Sequence, residues 1–274
     1  MTRLVCFMAT VALLSATTSV QADIVWTTGA PSGTSGGALF FDGSEGGGAN
    51  SDNGIEFLQT GISSEIQGGD YTVSYWINAS DVNAEQYAVG TTRQSLHLGL
   101  SGGNAFQGHW GADSSASSAD IVSNTWFHQT FTYDAATDTQ SIYVNGTLLG
   151  TATNNAPNFP NNEILLGTRF NNGDSRQQLQ GSLDDVAFFN SVVSGTDIAA
   201  LAAGTTDALA LGANAYYDFE DDQFGTTAAV QTGTGATPFG SGLTAITANV
   251  VPEPSSLAIL LGLGMAGLTR RKRS

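Results

Sequence analysis

Apolar and polar residues alternate with a period of two along much of this chain. Within residues 126–134, Phe127, Phe131 and Tyr133 share one parity with Gln129 among them, while Trp126, His128, Thr130 and Thr132 share the other. That is the pattern of a strand, whose successive side chains point to opposite faces. Ser141 to Val144 and Thr147 to Gly150 flank Asn145-Gly146, a pair favoured in tight hairpins because both central residues of a type I′ turn need positive φ. Residues 126–150 therefore predict a strand, a turn over 134–139, a second strand, an Asn-Gly turn and a third strand. In residues 71–78, Tyr71, Val73, Tyr75 and Ile77 line one face. Shorter runs predict strands at 23–27 on an edge, 38–41, 55–58, 163–168 and 179–189.

A further hairpin is predicted over residues 94–110. Pairing Ser101 with Ala105 places Leu96, Leu98 and Leu100 on one face with Phe106, Gly108 and Trp110. The other face then holds His97 beside His109, and Gly99 beside Gln107. A one-residue slip would mix the leucines with His109 and Gln107, so the apolar pattern selects the first register. His97, Gln107 and His109 on one sheet face are the candidate ligand-binding residues, although a polar strand face is more often a plain solvent face. Glycine- and polar-rich stretches at 44–54, 113–120, 152–162 and 171–175 predict loops. Ser194 as N-cap, Asp197 in the first turn and Gly204 as a stop predict one short helix over 198–203. A last strand is predicted at 215–220.

The two ends are different in kind. Arg3, an apolar run from Leu4 to Leu14 and small residues up to Ala22 form a secretory signal peptide, cut after Ala22. Near the other end, Val251-Pro252-Glu253-Pro254 precedes an apolar run and the basic cluster Arg270-Arg271-Lys272-Arg273, a pattern that stops translocation with the positive end inside. The run is shorter than the roughly 20 residues of a comfortable spanning helix. Between the ends, residues 23–250 hold three arginines and no lysine against 23 acidic residues, a net charge of −20. Such a surface repels nucleic acid and attracts divalent cations, which excludes DNA binding. The single cysteine, Cys6, lies in the leader, so an exported domain without disulfides must rest on its core or on a metal.

The C-terminal triplet resembles the PEP-CTERM sorting signal of Gram-negative bacteria. The resemblance implies cleavage at Val251, Pro252, Glu253 and Pro254 by a membrane protease of the exosortase type, transient membrane anchoring, and release or attachment at the cell surface. Residues 38–204 resemble a laminin-G-like domain of the concanavalin A-like lectin/glucanase superfamily. The carriers are Phe41-Asp42-Gly43, residues 71–78, the 126–146 hairpin, and Gly181 to Asn190 before the capped helix. That resemblance implies an all-β jelly-roll sandwich of two antiparallel sheets with one short helix near residue 198. The expected organisation is a signal peptide at 1–22, the sandwich at 23–220 closed by the 215–220 strand, a linker or loose strand at 221–250, and the sorting segment at 251–274.

Chemistry is sparse. Glycosidases of this fold need two carboxylates held close together, in the glucanases from a Glu-x-Asp-x-x-Glu strand, and no glutamate of residues 23–250 stands in that motif. Asp218, Glu220 and Asp222 alternate onto one face but read better as a solvated or cation-binding strand end. No zinc spacing, phosphate loop or Ser/His/Asp signature appears. Related folds carry a structural calcium, and by that resemblance Asp184 is the first candidate ligand and Asp42 the second; capping hydrogen bonds from the same aspartates are the alternative. Trp76, Trp126 and Trp110 are expected in the core, with sugar stacking the alternative for Trp110 and a possibility for Trp26. The expected function is a non-catalytic, exported binding protein that recognises carbohydrate or another matrix component. The alternatives are a structural matrix protein without a discrete ligand, or a glycan hydrolase or lyase.

Overall fold

The computed structural model describes residues 25–27, 38–43, 57–59, 69–91, 95–109, 111–153, 164–171, 174–219 and 237–239. The leader, the sorting segment, Trp110, Glu220 and Asp222 lie outside the described residues. The first strands are β1 (Val25–Thr27), β2 (Ala38–Asp42), β3 (Phe57–Gln59), β4 (Tyr71–Ala79) and β5 (Gln86–Thr91). Then come β6 (His97–Ser101), β7 (Asn104–His109), β8 (Ala112–Ser117), β9 (Phe127–Asp134), β10 (Thr139–Val144) and β11 (Thr147–Thr153). β12 (Ile164–Leu166), β13 (Arg169–Asn171), β14 (Asp174–Arg176) and β15 (Gln180–Phe189) lead to the helix α1 (Gly195–Ala202). β16 (Ala215–Tyr217) and β17 (Thr237–Phe239) come last.

Two antiparallel sheets face each other. The first runs β1-β2-β15-β4-β9-β10-β11, the second β17-β3-β12-β5-β6-β7-β8, and β13 and β14 form a separate pair. The alternation read from the sequence is the cause of the sandwich: Tyr71, Val73, Tyr75 and Ile77 of β4 and Phe127 and Phe131 of β9 meet Leu96, Leu98 and Leu100 across the gap in one core. Asn145 and Gly146 take φ of 47° and 76°, so the tight turn between β10 and β11 is as expected. Ser194 caps α1, its side chain accepting from the Asp197 N–H. The helix covers part of the outer face of the first sheet, packing Ile198 and Leu201 with Ala187, Phe189 and Tyr216 in a second cluster. β16 pairs with Val186–Phe188 of β15, while β2 pairs with Gln180–Leu183 of the same strand. The two short strands thus share one edge of β15 end to end.

Three local expectations are corrected. The 113–120 loop is largely strand β8, a half-exposed edge whose Ser and Ala residues alternate inward and outward; small residues hide the period because none is strongly apolar. The 171–175 loop contains β14, paired with β13. Trp126 is only half-buried, because it precedes β9 and never enters the sheet. Among the described residues no helix is long and apolar enough to cross a membrane.

Candidate functional site

The β6–β7 hairpin decides the site, and its register differs from the expected one. Gly102 and Gly103 take φ of 58° and 81°, a two-residue turn that pairs Ser101 with Asn104, Leu100 with Ala105, Leu98 with Gln107 and His97 with Gly108. A two-residue turn with both φ positive matches the twist of its strands, and it outweighs the apolar pattern. Gln107 and His109 therefore point into the core with the leucines, and His97 points out with Gly99, Phe106 and Gly108. The three residues do not form one face.

The core tolerates the two polar side chains because each finds a partner. Gln107 donates from Nε2 to the Tyr71 hydroxyl at 2.8 Å and to the Thr132 carbonyl at 3.0 Å. The Tyr71 hydroxyl in turn lies 2.5 Å from His109 Nε2, and the His109 ring packs edge-on against Tyr71 and Tyr133. Burial pushes the Tyr71 phenol far above its ordinary range, so it stays neutral and keeps its proton to donate. Replacing Tyr71 by Phe removes the group both partners share. Stability is expected to fall by about 1–3 kcal/mol, the cost of stranding buried polar groups, and chemical denaturation of the two proteins measures it.

On the outer face of the second sheet the rows across β5, β6, β7 and β8 run Tyr87–Gly99–Phe106–Ser115 and Gly90–His97–Gly108–Asp113. Glycines thus separate the aromatic residues, and at Gly108 a ring lies over the glycine. A Cβ on Gly108 would sit 2.0 Å from His97 Nε2, so the imidazole lies directly on that glycine and reaches Asp113 Oδ1 at 3.8 Å. The His97 ring stacks on Phe106 at 5.5 Å and meets Tyr87 edge-on at 5.0 Å. Arg169 enters from β13, its guanidinium 4.8 Å from the Tyr87 ring centre. It donates from Nε to Gln177 Oε1 at 3.0 Å and lies 3.8 Å from Glu85 Oε1. Tyr87 donates its hydroxyl proton to the same carboxylate, and burial, followed by that bond, raises the phenol's pKa. Burial also raises Asp113 above the usual carboxylate value, with Arg169 pulling the other way.

The result is a shelf. Tyr87 and His97 form its buried floor, Phe106 is half-buried, and the Asp113 and Glu85 side chains stand 45% and 46% exposed at its margins. Of the three rings Phe106 is the one open to a ligand, and with two carboxylate acceptors and one fixed guanidinium beside it the shelf suits a ligand with a flat C–H face and a hydroxylated rim. Sequence reasoning found His97 but missed Tyr87, Phe106, Asp113 and Arg169. The available signal was glycine two positions from an aromatic residue on the same parity, His97-x-Gly99 and Phe106-x-Gly108, since glycine inside a strand marks close approach of another group.

The two metal candidates stand apart. Asp42 stands opposite Gln180 and Asp184 opposite Trp76, so four residues of β15, about 13 Å at strand rise, separate the two candidates. Asp184 is fully buried and accepts from the Asp185 N–H at 2.8 Å, and the Asp42 side chain lies outside the description. Among the described residues no three His, Cys, Asp or Glu side chains come together as a metal site.

Among the described residues, Ser74 and His128 are placed as a nucleophile and a base. Thr130 donates to Ser74 Oγ at 3.2 Å, and Ser74 Oγ lies 2.9 Å from His128 Nε2. Burial pushes His128 down to about 3, however, and an effective general base has a pKa near the working pH. His128 Nδ1 lies 3.5 Å from the Thr130 hydroxyl, a group that does not hold an imidazolium as a carboxylate would.

Comparison with known proteins agrees with this architecture. A family model described as the concanavalin A-like lectin/glucanases superfamily matches residues 49–199, and one described as the PEP-CTERM protein-sorting motif matches residues 250–273. No curated protein matches the chain. Among solved structures, a Bacteroides ovatus protein described as a "putative carbohydrate binding protein" superposes with a TM-score of 0.51 at 16% identity, over 69% of this chain and 56% of its own. This chain therefore spans little more than half of that protein's length. A SAP-like pentraxin from Limulus polyphemus gives a TM-score of 0.45 at 15% identity over 58% of this chain and 80% of its own. The CBM40 of a Ruminococcus gnavus IT-sialidase, solved with α2,3-sialyllactose, gives 0.44 at 15% identity over 55% and 96%.

Proposed function

This chain belongs to the concanavalin A-like lectin/glucanases superfamily, and from that membership together with the shelf we propose that it is a non-catalytic glycan-binding protein. Its sorting motif marks it for export and for surface or extracellular placement through a membrane-anchored intermediate. The ligand is a polysaccharide or matrix glycan at the cell surface, and the exosortase-type protease is the processing partner. The observation that carries the reading is the Tyr87, His97 and Phe106 ring cluster bounded by Glu85, Asp113 and Arg169. A non-catalytic reading is consistent with His128, which burial keeps neutral down to about 3 and so leaves a poor general base.

The test is a glycan-array screen of the full-length chain followed by equilibrium titration of the best polysaccharide. Saturable binding is expected, weakened at least about tenfold in Phe106→Ala and in Gly108→Ala, as loss of well-packed contacts at a binding centre implies. The glycine variant touches no ligand, but its methyl must lift the His97 ring from its seat, at a stability cost of about 1–3 kcal/mol. Binding of no glycan would remove the lectin reading in favour of a matrix protein without a discrete ligand. Binding unchanged in both variants would place the site elsewhere.

A further inference from the structure

A small cleft opens on the outer face of the first sheet, beneath the end of α1, on the far side of the sandwich from the shelf. Its cause is visible in the register. Ala187 of β15 sits between Ser74 of β4 and Tyr216 of β16, so the smallest side chain of the row lies at its centre. Trp76 and His128 form the next row. Their rings meet edge-on at 5.3 Å, and the segment 204–208 after α1 provides the roof. The β4–β15 register shifts between Asp184 and Ala187. This bulge puts Asp185 at φ 50° and turns its carboxylate to the cleft, where Tyr216 donates its hydroxyl proton to Oδ1. Such bulges characteristically re-aim a side chain. Asp207 lines the opposite rim, its Oδ1 accepting from the Ala210 N–H at 2.7 Å.

We propose that this cleft is a second ligand site and that it takes the ammonium head of a small organic cation, a protonated or methylated aliphatic amine. Two aromatic side chains, Trp76 and Tyr216, and two carboxylates, Asp185 and Asp207, line it, with no lysine or arginine among its walls. Ring faces and carboxylates together attract an organic cation, most strongly where water is excluded. His128 does not oppose that charge, because burial keeps it neutral. Size decides against a sugar: the interior space is about 20 Å³, room for one or two water-sized groups. The surrounding field favours cations, with a net charge of −20 over residues 23–250. This site goes beyond the glycan reading and does not rest on it.

The test titrates methylammonium chloride into the full-length chain, with sodium chloride at matched ionic strength as reference and the Trp76 indole N–H followed by NMR. A saturable shift in the millimolar range is expected, as befits so few ligand atoms, with no such shift from sodium. Asp185→Asn removes one charge while keeping an acceptor for Tyr216, and asparagine takes positive φ readily. It is expected to weaken binding roughly fivefold, the loss of one charge-assisted contact. Ala187→Leu fills the cleft and is expected to abolish binding. Should that variant not fold, Asp185→Asn alone decides. An equal response to sodium, an Asp185→Asn affinity equal to that of the parent, or saturation of the same indole signal by glucose would each overturn the assignment.

Discussion

Acidification from pH 6.5 towards pH 3 is expected to destabilise the fold by several kcal/mol through His128 alone. The side chain is 2% exposed, packed against Trp76 and bonded to Ser74. Charging it there would place an imidazolium between two hydroxyls and an indole, so burial lowers its pKa from 6.5 to about 3. The unfolded chain takes up the proton near 6.5 and the folded chain does not until about 3. The unfolded state therefore binds more protons throughout that window, and the stabilisation is complete above it and lost on descending through it. Each unit of separation corresponds to about 1.4 kcal/mol, so the full window is worth on the order of 4–5 kcal/mol. Urea unfolding at a series of pH values measures this, and His128→Gln isolates it: the variant keeps a hydrogen-bonding group beside Ser74 but cannot titrate. A variant as acid-sensitive as the parent would show that other groups carry the acid response.

Gly181→Val is expected to prevent folding at 37 °C. Gly181 lies in β15 with φ at 153°, pairing with Phe41 on one side and Ala79 on the other. A Cβ there would fall 2.2 Å from the Asn78 carbonyl oxygen and 2.8 Å from Ala79 Cα. Both clashes are with the backbone of β4, a central strand that also pairs with β9. No rotamer relieves them, so the β4–β15 ladder must part at its Gly181–Ala79 end. A cost above about 4 kcal/mol is among the largest that single substitutions produce, against a total stability of about 5–15 kcal/mol. Gly181→Ala already carries the offending atom and is expected to lower the melting temperature by about 8–16 °C, at roughly 2–4 °C per kcal/mol for a domain of this size. A melting temperature unchanged in the alanine variant would mean that the two strands separate there without loss.

Both residues show how far the sequence could be read. Gly181 sits inside a run expected to be a strand, and the run is β15. Its clash is with Asn78, about a hundred positions earlier, which no local pattern contains. His128 shares its parity with Thr130 and Thr132, a set that reads as an ordinary polar face. That face is buried because α1 and the segment after it fold over the sheet, with Leu201 and Ala208 beside His128 at the cleft.

What the amino-acid sequence determined by itself is what depends on neighbours along the chain. The alternation of β4 and β9, the Asn145-Gly146 turn, the Ser194 cap, the sorting motif and the family pattern each follow from residues a few positions apart. Tertiary structure alone decided which strands pair, in what register, and which polar groups are covered. Period two says that Leu98 and Leu100 share a face, but not whether Gln107 or Gly108 joins them. That choice rested on the left-handed conformation of Gly102 and Gly103 and on a phenol 36 residues away that could satisfy Gln107 inside the core. His97 reached the shelf, and Ala187 the cleft, for the same reason: a β-strand's surroundings come from partners distant in sequence, and the energy of burying a polar or leaving a small side chain depends on those partners.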